Sequence, residues 1–216
     1  MVIFIPVLIF YRCQGKLNPI QINEKSILEQ ISTHPDFQKW YQFWHDRSSY
    51  VDINTLEFSM FRSEKFSLHY KIESERLDSY TIKNILLNYS PRSDFLIDIY
   101  ADCVFEQIGM TDSLRFFGGD VDRSFTLVSL KDSLIYWRTY GTTSYFDESL
   151  WLTDSCFVII GISFWPTAIA DSSYDQIMLI KGNINTMSLE QYISQKLPRI
   201  FSSFDYMLYK YPKVVW

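Results

Sequence analysis

Two stretches decide the fold: Asn88-Tyr89-Ser90-Pro91-Arg92-Ser93-Asp94-Phe95-Leu96-Ile97-Asp98 and Leu150-Trp151-Leu152-Thr153-Asp154-Ser155-Cys156-Phe157-Val158-Ile159-Ile160. Each passes from an aromatic residue through a tight polar turn into an apolar strand, with Phe95 and Phe157 in matching places. Polar turns between apolar runs are the signature of antiparallel pairing. A repeated turn-plus-strand unit therefore predicts a mainly β protein built from antiparallel sheet.

Working outward, Arg123 to Leu130 and Leu134 to Tyr140 flank the turn Lys131-Asp132-Ser133 and predict a hairpin. By the same logic Leu56 to Met60 and Phe66 to Ile72, separated by Arg62-Ser63-Glu64-Lys65, predict another. Asp78 to Leu87 and Gln176 to Ile180 read as further strands, the latter followed by a turn at Lys181-Gly182-Asn183. Helices are expected at the two ends. Asn23 is placed to cap a helix over 24–32, which stops before His34-Pro35 because the residue preceding proline avoids the α region. Asp36 to Asp46 carries Phe37, Trp40, Tyr41 and Trp44 on one face, the pattern of a helix docked on a sheet. Near the C-terminus, Ser188 and Gln191 form a capping box that predicts a short helix ended by Pro198. Phe201 to Tyr211 is aromatic but shows no decisive period.

The chain has 216 residues, 47% of them hydrophobic, enough for a substantial core. Fifteen tyrosines and seventeen phenylalanines favour strands over a helical bundle. The net charge of −5 comes with no cluster of Lys or Arg, so the electrostatic footprint of a nucleic-acid binder is missing. No linker separates parts of the chain, and residues 16–216 are read as one β-rich domain.

Residues 1–10 are wholly apolar, too few for a helix crossing a membrane, which needs about 20. Their length suits the apolar region of a signal peptide. Followed by Cys13, they resemble the signal segment of a bacterial lipoprotein, which implies a processed segment within 1–15, lipid attachment at Cys13 and an envelope location. Tyr11 and Arg12 stand where such proteins carry small residues, and no basic region precedes the apolar run. The competing reading is an N-terminal strand paired with the main sheet in a cytoplasmic protein. Cys103 and Cys156 are either buried thiols or a pair, which sequence separation does not decide.

The order of turn-plus-strand, hairpin, loop, aromatic residue and turn-plus-strand over 88–162 resembles the blades of β-propellers, where a Ser-Pro-Asp-Gly-like turn opens a strand. The resemblance implies a propeller-like or partial-propeller sheet, with helices before it and a short helix after it. Two features depart from it. Ser93 and Ser155 replace the turn glycine, and the Phe95-to-Phe157 spacing exceeds the ~40–50 residues of a blade, which calls for an insertion at about Glu106 to Asp122.

Chemistry is sparse. The three histidines have no metal-ligand spacing, there is no G-x-S-x-G elbow, and Gly118-Gly119 lacks the rest of a phosphate loop, so no catalytic residue, metal or cofactor is assigned. Two polar segments are the candidate ligand-binding sites. One is Gly118-Gly119-Asp120-Val121-Asp122, whose Asp120 and Asp122 are too few for a calcium site of six to eight oxygens. The other is the presumed loop from Gly141 to Trp151, with Tyr145, Phe146, Asp147 and Glu148. The expectation is a non-enzymatic envelope protein that binds a protein or polymer through loops at one end of the sheet, and the chain resembles uncharacterised bacterial envelope proteins with propeller-like repeats. The rivals are a hydrolase of an extracellular polymer using these four carboxylates, and a small acidic inhibitor or immunity-type protein.

Overall fold

In the computed structural model, which describes residues 25–72, 80–120, 122–165, 173–199, 201 and 204–216, the two similar stretches touch one another. The backbone N–H of Arg92 donates to Asp154 Oδ1 at 2.9 Å, and the Arg92 guanidinium pairs with the same carboxylate at 2.9 Å. Trp151 Nε1 donates to the carbonyl of Asn88 at 3.2 Å. Ser93 takes the left-handed conformation a turn glycine would supply, with φ at 58°.

In chain order the elements are helices α1 (Lys25–Ile31) and α2 (Pro35–His45), strands β1 (Phe58–Lys65), β2 (Tyr70–Lys71), β3 (Asn88–Tyr89), β4 (Phe95–Asp98), β5 (Cys103–Gln107), β6 (Leu114–Gly119), β7 (Arg123–Ser129), β8 (Leu134–Tyr140), β9 (Ser144–Trp151), β10 (Cys156–Trp165), β11 (Tyr174–Asn183), β12 (Ser188–Ser194) and β13 (Leu197–Pro198), helix α3 (Asp205–Lys210) and strand β14 (Val214–Val215). Each of the two stretches opens a meander. The first sheet has the order β2-β8-β7-β4-β3 and the second β1-β12-β11-β10-β9, with β13 added beside β11. The two sheets share one topology: four antiparallel strands in chain order, completed at the far edge by a strand from earlier in the chain. The hairpin β5–β6 is inserted between β4 and β7 of the first meander, and β14 joins it in parallel to make a third, small sheet.

Strand alternation assigns the faces. Ile97, Phe125 and Leu127 of the first sheet meet Phe157, Ile159 and Ile180 of the second in a central core, closed at one side by Leu114 and Phe116 of the inserted hairpin. The opposite face of the second sheet, including Val158, Ile160, Ile177 and Leu179, receives Ile27 and Ile31 of α1 and Phe37, Trp40, Phe43 and Trp44 of α2. Each such side chain, fully buried, contributes about 1.5–3 kcal/mol. Helix α3 closes this layer, its Tyr206 packing edge-on to Phe43 at 5.3 Å. The outer face of the first sheet carries a small apolar cluster, Leu96, Val128 and Ile135 with Ile72, Tyr80 and Leu87, and beside it the buried polar residues Asp98, Ser124 and Thr126, with Lys83 paired to Asp98 at 3.6 Å. Close approach of β10 and β11 requires Gly182, because a Cβ there would fall 2.0 Å from Cζ of Phe157.

Both N-terminal helices and the hairpin of β7 and β8 match the sequence reading, as does an antiparallel, mainly β fold. Phe157 is fully buried in the middle of its sheet, whereas Phe95 is half-buried. Other expectations are corrected. β1 runs straight through Arg62-Ser63-Glu64-Lys65 and pairs with β12, and the segment after it pairs with β8 instead of folding back. An edge strand with most side chains in water carries polar residues at no cost, so the polar run does not mark a turn. Of the strand expected over Asp78 to Leu87, residues 80–82 are helical and Asn84–Leu86 form a 3-10 turn. The capping-box segment from Ser188 is strand β12, held between β11 and β1, and Ser188 bonds the Thr186 hydroxyl at 2.7 Å. The C-terminal helix is α3. The chain from Lys181 to Asn183 continues β11. The described residues form no closed ring of blades. Cys103 and Cys156 are both free. The segment 1–15 with Cys13 lies outside the described residues, as does Asn23.

Candidate functional site

The segment from Gly141 to Trp151 is mostly strand, and that decides the fate of its candidate residues. Opposite β10, Glu148 faces Ile160 and Phe146 faces Gly161, which leaves Asp147 as the extra residue of a β-bulge. The bulge turns two consecutive carboxylates toward the helices. Gly161 permits it, since a Cβ there would lie 2.6 Å from the Tyr145 carbonyl oxygen.

Asp147 is 2% exposed and its Oδ2 accepts hydrogen bonds from both Trp40 Nε1 and Trp44 Nε1, each at 2.9 Å. Burial pushes this carboxyl up to about 7, against the pull of the two indole donors. Glu148 is 1% exposed. Lys210 Nζ donates to both of its carboxylate oxygens at 2.6 Å, and the Tyr206 hydroxyl donates to Oε2 at 3.0 Å. Burial works against the Lys210 ammonium, yet the Glu148 charge outweighs it and holds the lysine above its usual range. Phe146 packs in the central core edge-on to Phe125 and Tyr140. These three residues do not reach solvent. Asp147 and Glu148 fasten α2 and α3 to the second sheet, and the loop reading of them is withdrawn.

Asp120 and Asp122 stand elsewhere. Both are exposed and line a cleft of about 340 Å³ with Asp102, Val104, Ser124, Trp137 and Thr139. β7 and β8 supply its floor, and the inserted hairpin supplies its wall. Trp137 shares the phase of buried Ile135 on the outer face of the first sheet, but lies beyond the small cluster there and is 52% exposed. Asp102 is tied to Arg123 at 3.1 Å, and the Arg123 guanidinium also lies 4.4 Å from the ring centre of Phe204. Burial raises the Asp102 carboxyl in spite of Arg123. Cys103 at the base is no nucleophile, because burial pushes its thiol up to about 12. Among the described residues no group of three or more His, Cys, Asp or Glu side chains is placed to hold a metal ion.

Tyr145 lines a second pocket, of about 460 Å³, with Thr142, Thr143, Phe164, Asp175, Arg199 and Phe201. Arg123 pairs with Tyr140 where β7 begins and β8 ends, and the chain then turns through Thr142-Thr143 into β9. The acidic cleft and this pocket therefore lie toward the same end of the two sheets. Sequence reasoning missed Asp102, Trp137 and Arg199. Only Trp137 carried a signal, as a large aromatic residue in a strand whose neighbours on the same phase are Ile135 and Thr139, half of them polar.

Fold and site together define a β protein of two meander sheets and a small third sheet, with an aromatic and acidic cleft at one end. No protein-family model, curated protein or solved structure matches the chain.

Proposed function

We propose that this chain is a non-enzymatic binding protein of the cell envelope that holds a hydroxyl-rich polymer in the cleft of Trp137, Asp102, Asp120 and Asp122. One observation carries the reading: a half-exposed indole and the exposed carboxylates of Asp120 and Asp122 share one cleft, with Asp102 held at its base by Arg123. The indole offers a flat apolar face for a sugar ring, and carboxylate oxygens accept hydrogen bonds from ring hydroxyls. A binding reading is favoured over hydrolysis because the carboxylates of β9 are sealed inside the protein and bonded to Trp40, Trp44 and Lys210. The paired meanders support reading them as two blades of a propeller-like arrangement that does not close.

Affinity electrophoresis through gels containing a β-glucan, a xylan, a mannan or an acidic uronan tests the ligand. At least one polymer is expected to retard the protein without releasing new reducing ends, and Trp137→Ala is expected to weaken that retardation tenfold or more. Free migration in every gel contradicts the polymer reading.

The envelope assignment rests on the apolar run 1–10 and Cys13. Expressed in bacteria with an alkyne-tagged fatty acid, the full chain is expected to take up label that Cys13→Ala abolishes. An unlabelled product contradicts lipid attachment.

A further inference from the structure

We propose that the pocket between the ends of β9, β10 and β11 is a second binding site, for a small organic carboxylate with an apolar body. Its cation is Arg199, which pairs with no carboxylate among the described residues and lies 4.2 Å from the ring centre of Phe164. A guanidinium laid on an aromatic ring keeps its N–H edge available, and that edge matches the two oxygens of a carboxylate. Thr142 and Thr143 add hydroxyls, while Phe164, Phe201 and the Tyr145 ring supply apolar wall.

A second, independent feature marks the same place. The Tyr145 hydroxyl is buried and has no hydrogen-bond partner among the described residues, and burial keeps the phenol protonated by raising it far above its usual range. Buried donors are almost always satisfied. An acceptor atom brought in by a ligand is the partner this hydroxyl lacks.

Asp175 sets the limit on charge. It is 2% exposed and lines the pocket, where its Oδ2 accepts the backbone N–H of Phe201 at 3.2 Å. A second negative charge on the ligand would face this carboxylate, so a monoanion is preferred over phosphate. The pocket volume of about 460 Å³ sits within the ordinary range for small-molecule sites, roughly 300–1,000 Å³. This inference does not depend on the polymer reading of the acidic cleft.

Isothermal titration of the full chain with 3-phenylpropionate, its uncharged amide and inorganic phosphate is the test. The acid is expected to bind saturably and at least tenfold more tightly than either control. Arg199→Ala, at an exposed position, is expected to weaken acid binding at least tenfold. Tyr145→Phe is expected to weaken it severalfold without lowering the melting temperature, since it removes a hydroxyl that bonds no other described residue. Trp137→Ala is expected to leave acid binding unchanged, so failure at this pocket and failure at the cleft are read separately. Equal binding of acid and amide, phosphate binding as tight as the acid, or undiminished acid binding by folded Arg199→Ala overturns the assignment.

Discussion

Asp147→Ala is expected to cost about 2–5 kcal/mol of folding stability, because it takes the acceptor from two buried indole N–H groups at once. Each buried donor left unpaired costs about 1–3 kcal/mol. Asp147→Asn separates the hydrogen bonds from the charge. In the folded protein burial pushes the carboxyl up to about 7, whereas in the unfolded chain it titrates near ~3.9. Between those values the folded state keeps a proton that the unfolded chain has released, so this group favours folding at low pH. Its contribution is complete below about pH 4 and is lost as pH rises through about 7, an effect of up to roughly 4 kcal/mol. Urea unfolding of both proteins between pH 5 and 8 checks this. The asparagine variant should gain on the wild type as pH rises, and a difference that stays flat would mean that Asp147 is not a buried, charge-strained anchor.

The second large effect concerns the ion pair that holds α3. Lys210→Met is expected to cost about 3–5 kcal/mol at neutral pH, since removing one partner leaves the other charge buried and uncompensated. Glu148, at 1% exposure, is that charge. Adding Glu148→Gln to Lys210→Met should recover most of the loss, because exchanging a whole buried pair for neutral groups is close to neutral in energy. Chemical unfolding of the two single variants and the double variant reads the coupling directly. Should the double variant be as unstable as Lys210→Met alone, the loss arises from packing around α3 and not from charge.

The meanders were legible because local rules agreed with global pairing. The turn at Lys131-Asp132-Ser133 is closed by a Ser133 at positive φ, and the flanking strands β7 and β8 pair along their length. Trp40 and Trp44 announced a docked helix face, though nothing local showed that their indoles converge on a carboxylate more than a hundred residues away. That long-range bond is why Asp147 and Glu148 read as loop: two adjacent acids look solvated until a bulge and their partners are known. β12 was mistaken for a helix because Ser188 and Gln191 satisfy a capping box, a local preference that pairing on both edges overrode. Half of the site was visible for the opposite reason. Asp120 and Asp122 follow a glycine pair that ends β6, so their exposure could be read locally, while Trp137 and Asp102 join them only through the packing of the inserted hairpin.

The division between binding and structural carboxylates is the central claim, and one paired measurement tests it. Affinity electrophoresis in the polymer gel that retards the wild type, with a melting curve on each sample, is run for Asp120→Asn/Asp122→Asn and for Asp147→Asn. The cleft variant should lose retardation while its stability changes by no more than about 0.5 kcal/mol, as substitutions of exposed charges ordinarily do. Asp147→Asn should keep its retardation, and its melting temperature should lose the fall that the wild type shows as pH rises through about 7. Retained retardation in the folded cleft variant, or its loss in folded Asp147→Asn, would contradict the account.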